Sequence, residues 1–208
     1  MKVKEHDTIV DIINRNHQVN GRKQTARIVE VQSNLPTLDH QRKGNIPSHS
    51  VIVWMLCVQR LPTRVRLKIW GIVQEVKCVF CDENESMDHF FFKWCYSWAV
   101  WRKILMYNRK LHQLKRWKEE LAELVMENDG KSLKNKMMQL SFCYAIYHIW
   151  LERNGRAFGG KERIVENLVF TCITAIKNRV YSWKNFSYTK ANWEMCIEWN
   201  FSLQILRR

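Results

Sequence analysis

Between Arg163 and Trp183 the apolar residues Val165, Leu168, Val169, Cys172, Ile176 and Val180 recur at three- and four-residue intervals. Only an α-helix gathers such a spacing into one continuous face. The rhythm returns along most of the chain. Pro47 and Ser48 give a helix start before SVIVWMLCVQR, and Leu61-Pro62-Thr63 breaks that segment. Thr63 is then placed to cap TRVRLKIWG, with Val65, Leu67 or Ile69, and Trp70 pointing inward and Gly71 ending the helix. Ser97 is expected to cap SWAVWRKILM, whose inward residues are Trp98, Trp101 and Leu105. Gln113 to Asn128 repeats the pattern with Leu114, Trp117, Leu121 and Leu124, and Asn128-Asp129-Gly130 stops it. The longest helix is expected from Ser132 to about Phe158, with Leu140, Cys143, Tyr147 and Trp150 on one face, and a last short one from Ala191 to Trp199.

Seven Gly and three Pro in 208 residues leave too few turn residues for a sandwich, a barrel or a collagen-like array, whereas ten Trp and 46% hydrophobic residues supply a core. The fold class is therefore mainly α. Residues 1–45 read as an arm, with a short helix over 6–14, a strand over 27–32 and a linker from Ser33 to Asn45. The apolar runs are too short to span a bilayer and the first residues hold no signal-peptide core, so a soluble, intracellular protein without a membrane partner is expected. The net charge of +14 favours an anionic partner, although the basic excess is spread along the chain rather than gathered in a tail.

Chemistry concentrates in the loop from residue 72 to 96, where Cys78, Cys81, His89 and Cys95 make the array C-x2-C-x7-H-x5-C. A C-x2-C turn offers two sulfurs from one tight loop, and an imidazole and a third thiolate near the start of the next helix would complete the tetrahedron that Zn2+ prefers. Four protein ligands leave no position for water, so such a zinc would be structural. Ordinary core thiols are the plainer reading of cysteines, and it is the one expected for Cys57, Cys143, Cys172 and Cys196 on apolar helical faces. His148, among apolar neighbours, is expected to be a core or boundary histidine.

The stretches IPSHSVIVWMLCVQRLPTRVRLKIWGI, CVFCDENESMDHFFFKWCYSWAVW and IYHIWLERNGRAF together resemble the zinc-binding domain found C-terminal to the reverse transcriptase of plant non-LTR, LINE-type retrotransposons. The resemblance runs from about Ile46 to Trp199. It implies a zinc-binding domain over 46–105 and a helical region over 106–208 packed on it. It carries Cys78, Cys81 and His89 across directly. The family reads H-x4-C, however, and position 94 here is Trp94, so Cys95 is only a displaced equivalent. Either the loop adjusts to bring Cys95 to the metal, or zinc is held by the other three. Arg153, Asn154 and Arg156 lie in a segment like the family's W-x-E-R-N, where a local structural role is favoured over phosphate contact.

No Asp-Asp pair of the polymerase kind is present, nor a P-loop, a nucleophile elbow or H-E-x-x-H, so no catalysis and no small-molecule substrate are expected. The resemblance and the charge together imply a zinc-binding accessory domain that contacts RNA or DNA through Arg60, Arg64, Arg66, Lys68, Lys77, Lys93, Arg102 and Lys103, with exposed aromatics stacking on unpaired bases. The alternative is a structural or interaction protein, a decayed retroelement fragment with a vestigial metal site.

Overall fold

A computed structural model describes residues 47–110, 116–126 and 132–207. The expectations for residues 1–45, for Leu114 and for the Asn128-Asp129-Gly130 stop lie outside these. The described chain is mainly α, as expected. In order come α1 (Pro47–Cys57), α2 (Arg64–Ile69), a single π-helical turn (His89–Lys93), α3 (Cys95–Tyr107), α4 (Trp117–Met126), α5 (Leu133–Ala157), α6 (Val165–Val180), β1 (Phe186–Ser187), α7 (Lys190–Trp199), a 3-10 turn (Leu203–Ile205) and β2 (Leu206–Arg207). The two short strands pair in parallel, Phe186 beside Leu206. No helix among the described residues is long and apolar enough to cross a membrane.

The organising element is α5. Helices α1, α3, α4, α6 and α7 all pack against it, so it is covered on several sides. Its buried residues accordingly exceed a single stripe: Met137, Phe142, Tyr144, Ala145, Ile146, Ile149 and Trp150 are buried, whereas Leu140, Cys143 and Tyr147 of the expected face are only partly so. Helix α6 follows its sequence pattern, with Leu168, Val169, Cys172, Ile176 and Val180 buried against α3 and α5. One core links Val53 and Leu56 of α1, Phe90 to Phe92 of the π turn, Val100, Trp101, Ile104 and Leu105 of α3, and Met195, Cys196 and Trp199 of α7. The segment with the cysteine array and the helices after it thus share their apolar interior.

Local signals at three helix ends resolve differently from expectation. Thr63 precedes α2 in extended conformation but its side chain caps nothing; the Arg64 N–H instead donates to the Glu85 carboxylate at 2.9 Å. Ser97 lies inside α3, where its buried hydroxyl donates to the Phe90 carbonyl at 2.6 Å. A π turn shifts the backbone register, and Ser97 satisfies a carbonyl of that turn. Trp98 is consequently 40% exposed while Val100, Trp101, Ile104 and Leu105 take the interior. No residue of α2 is buried, and Ile69 and Trp70 stand on the surface rather than inward. A six-residue helix has too little length to bury a face while held at its ends. Gly71 does terminate it, at φ +73°, with the Ile72 N–H reaching back to the Leu67 carbonyl at 2.9 Å.

Where α1 meets α5, His49 and His148 form a partly buried pair with ring centroids 5.8 Å apart, flanked by Tyr144 and Tyr147. Burial pushes both imidazoles down to about 4, helped at His49 by His148 and at His148 by Arg163. Each is thus neutral in the fold over a range in which the unfolded chain, titrating near 6.5, binds a proton. The stability these neutral rings contribute is complete above about pH 6.5 and declines as the pH falls toward 4. The melting temperature is expected to drop by more than about 5 °C between pH 7 and pH 4.5, and His49→Phe should flatten that dependence. Unchanged melting across the interval would count against the buried neutral pair.

Candidate metal centre

Cys78 and Cys81 occupy the tip of a short hairpin. Lys77 and Asn84 form an antiparallel bridge, the Cys78 N–H donates to the Glu83 carbonyl at 2.8 Å, and the Glu85 N–H donates to the Val76 carbonyl at 2.8 Å. Within the turn the Phe80 N–H points at the Cys78 sulfur at 3.5 Å. An amide aimed at sulfur favours the thiolate, the form a metal binds. His89 opens the π turn that follows. That wide turn sends Phe90, Phe91 and Phe92 into the core together, and the anchoring fixes the imidazole facing the hairpin.

Cys78 Sγ, Cys81 Sγ and a ring nitrogen of His89 lie within 4.8 Å of one another, and the Cys81 sulfur is 3.3 Å from His89 Nε2. Donor atoms around tetrahedral zinc, with Zn–S near 2.3 Å and Zn–N near 2.0 Å, stand about 3.5–3.8 Å apart. The donors present therefore fit zinc in kind and in spacing. His89 Nδ1 is buried with no hydrogen-bond partner among the described residues. Burial raises the Cys78 thiol above its ordinary value, eased by the Phe80 amide and reinforced by Cys81, and burial lowers His89. A buried, deprotonated imidazole is the state a metal requires.

Cys95 stands outside this group and is exposed. The backbone is extended at Trp94, with ψ 122°, and α3 begins at Cys95. Trp94 takes the inward position and is buried; its indole stacks on Phe80 at 4.9 Å and Tyr96 at 4.9 Å, with Phe90 at 5.8 Å. A one-residue shift at the first turn rotates a side chain by about 100°, which turns Cys95 toward solvent. Of the two possibilities the sequence left open, the structure gathers three donors.

Residues 36–101 match the family described as zinc-binding in reverse transcriptase. The match covers about a third of the chain and contains all three gathered donors as well as Trp94 and Cys95. Curated proteins and solved structures yield no match.

The matched segment is tied to the helices beyond it by two devices that its sequence does not announce. Glu85, fully buried, receives two hydrogen bonds from Arg153 of α5, at 2.6 and 3.2 Å. The same residue accepts from the Arg64 N–H and, through its carbonyl, from the Val65 N–H at 3.3 Å. Hairpin, α2 and α5 are thereby joined at one carboxylate. The second device is the Arg156 guanidinium, which lies 4.4 Å from the Tyr96 ring centroid, 5.4 Å from Trp94 and 5.9 Å from Phe80. Glu152 holds Arg156 at 2.8 Å and Arg163 at 2.6 Å, and these partners keep the Glu152 carboxyl below its ordinary value despite its burial. Arg153 and Arg156 are structural, as favoured from the sequence. Only the W-x-E-R-N segment was visible there; the meeting of its Arg153 with Glu85, 68 positions away, was not.

The eight cations singled out from sequence divide. Lys103 binds Glu166 at 2.5 Å and Lys77 lies 3.9 Å from Asp82. Arg60, Arg64, Arg66, Lys68, Lys93 and Arg102 make no side-chain ion pair among the described residues. Arg66 and Arg102 instead lie over exposed Trp70 and Trp98.

Removing one member of a buried ion pair strands the other, at a cost of about 3–5 kcal/mol. Glu85→Ala is expected to reduce the unfolding free energy by that amount in urea titrations, whereas Glu83→Ala, at an exposed position, should change it by less than about 0.5 kcal/mol. Equal effects would remove Glu85 from its anchoring role.

Proposed function

We propose that this chain is a non-catalytic, zinc-binding accessory module related to reverse transcriptases, that it acts inside the cell and that it binds nucleic acid. The observation that carries the reading is the convergence of Cys78, Cys81 and His89 within the matched segment. These three would hold Zn2+, which would supply a cross-link between the hairpin and the π turn. A plant non-LTR retrotransposon as the source rests on the resemblance of the longer stretches alone.

The non-catalytic part is supported by the commitments of the buried carboxylates. Glu85 is bound to Arg153, Glu152 to Arg156 and Arg163, and Glu120 accepts from the Trp101 indole N–H at 3.3 Å, so none of the three is free to act as a base. The seven cysteines are all unpaired, which suits a reducing compartment. Nucleic-acid binding is supported by the net charge of +14 and by the cations that form no side-chain ion pair among the described residues.

A vestigial site is the competing reading. The aromatic stack of Phe80, Trp94 and Tyr96 on Arg156 holds the hairpin without any metal, and one thiolate of the family's set is turned away. Metal content of the purified chain separates the two. One zinc per chain is expected by mass spectrometry, lost in Cys81→Ala and retained in Cys95→Ala. Zinc that disappears in Cys95→Ala would overturn the three-donor centre, and metal-free wild-type protein that resists zinc loading would establish the vestigial reading. For the nucleic-acid part, affinity for single-stranded RNA should fall steeply as salt rises, with a slope of log K against log salt near −0.7 for each phosphate neutralised. Absence of binding at low salt would refute it.

A further inference from the structure

The surface segment from Arg60 to Gln74 contains Arg60, Arg64, Arg66 and Lys68 and not one acidic residue. None of these four cations forms a side-chain ion pair among the described residues. The arrangement goes beyond an even scatter of charge. Arg66 has its Nε buried with no hydrogen-bond partner, while its guanidinium lies 5.4 Å from the Trp70 ring centroid. Burial and then the Arg60 charge depress the Arg66 pKa, so the two like charges act on one another, and neither forms a side-chain ion pair among the described residues. Folded chains ordinarily relieve such repulsion with an acid or by letting the side chains swing apart. Beside the pair, Ile69, Trp70 and Ile72 expose 69%, 45% and 65% of their surface. A cationic strip beside an exposed indole is the combination that tracks a phosphate backbone while stacking an unpaired base.

The backbone under this strip is fixed. Glu85 accepts from the first N–H of α2, and Gly71 closes the helix with the bond from Ile72 to Leu67. Arg66 and Trp70, one turn apart, therefore keep a set relation to each other. Of the other four cations, Lys77 and Lys103 are directed at acids, Lys93 lies on the π turn, and Arg102 lies over Trp98 of α3, away from this cluster in sequence.

We propose that Arg60, Arg66 and Trp70 form a binding site for single-stranded nucleic acid, in which the two guanidinium groups grip successive phosphates and the indole stacks on the intervening base, with Arg64 and Lys68 extending the charged track. The site rests on the nucleic-acid reading above and assigns it a place. Duplex binding is disfavoured because an exposed indole beside the cations gains nothing from bases already stacked within a helix.

The test is fluorescence anisotropy of the full-length, zinc-loaded chain with labelled oligouridine and oligothymidine of about 12 nucleotides, repeated at several salt concentrations. Trp70→Ala is expected to weaken binding about 5- to 150-fold, the equivalent of about 1–3 kcal/mol for one stacked base. Arg60→Ala combined with Arg66→Ala should make the salt slope shallower by about 1.4, and Lys103→Ala should leave affinity and slope unchanged. Because Trp70 is on the surface, its variant should keep the wild-type far-ultraviolet helical signal. Wild-type protein that binds while the Trp70 and arginine variants match it would overturn this site and leave the nucleic-acid reading standing. Wild-type protein that binds neither strand at low salt would overturn both. Equal affinity for a duplex of the same length, or retention on phosphatidylserine vesicles without binding to either oligonucleotide, would overturn the single-strand assignment.

Discussion

The carboxylate of Glu85 is the point at which three parts of the molecule meet. It lies in the hairpin between Cys81 and His89, takes two hydrogen bonds from Arg153 near the end of the longest helix, and accepts the first N–H of α2. A carboxylate with no exposed surface survives only when its charge is compensated and its lone pairs are occupied. The demand works in both directions, because Arg153 is itself buried and has its own charge to satisfy. Displacing either residue leaves the other stranded in a medium of low polarity, so the hairpin cannot drift from α5, nor α2 from the hairpin. The donor atoms of the metal centre and the cations of α2 inherit their positions from this contact.

A second clamp operates on the other side of the hairpin. Phe80, between the two cysteines, is stacked on Trp94, which is stacked in turn on Tyr96, and the Arg156 guanidinium rests over all three. The position at which the resembling family supplies a sulfur is thus occupied by a ring that packs. A metal–thiolate bond and an aromatic stack confer different properties. The bond depends on metal supply and on the protonation of its ligands, whereas the stack persists without metal. The arginine–aromatic clamp thus gives the hairpin a contact that does not depend on metal.

Helix α6 was legible because one-sided amphipathic periodicity reports a single buried face, and α6 has one. The same method misjudged α2, whose apolar residues suggested an inward Trp70. A six-residue helix fixed at both ends by other groups does not bury a face, and its indole went to an arginine on the surface instead. Thr63 and Ser97 carried credible capping signals, and both were overruled. At α2 a distant carboxylate satisfied the N–H in place of the Thr63 hydroxyl. At α3 the π turn left the Phe90 carbonyl for Ser97 to satisfy, and the helix started three residues earlier.

Cys78, Cys81 and His89 were readable as candidate metal donors from residue type and spacing, because a C-x2-C turn and a nearby imidazole restrict one another through a short length of chain. The displaced thiol was visible too, as a tryptophan where a cysteine was expected. Its outcome was not, since whether Cys95 turns inward depends on which neighbour fills the space, and the indole with its two aromatic partners does so more completely than a thiol. The pairing of Glu85 with Arg153, and the placing of Arg66 over Trp70 with Arg60 close by, exist only in three dimensions. Charge and aromatic content are properties of the chain, but which cations meet acids and which are left to face solvent is settled by the packing of helices far apart in sequence.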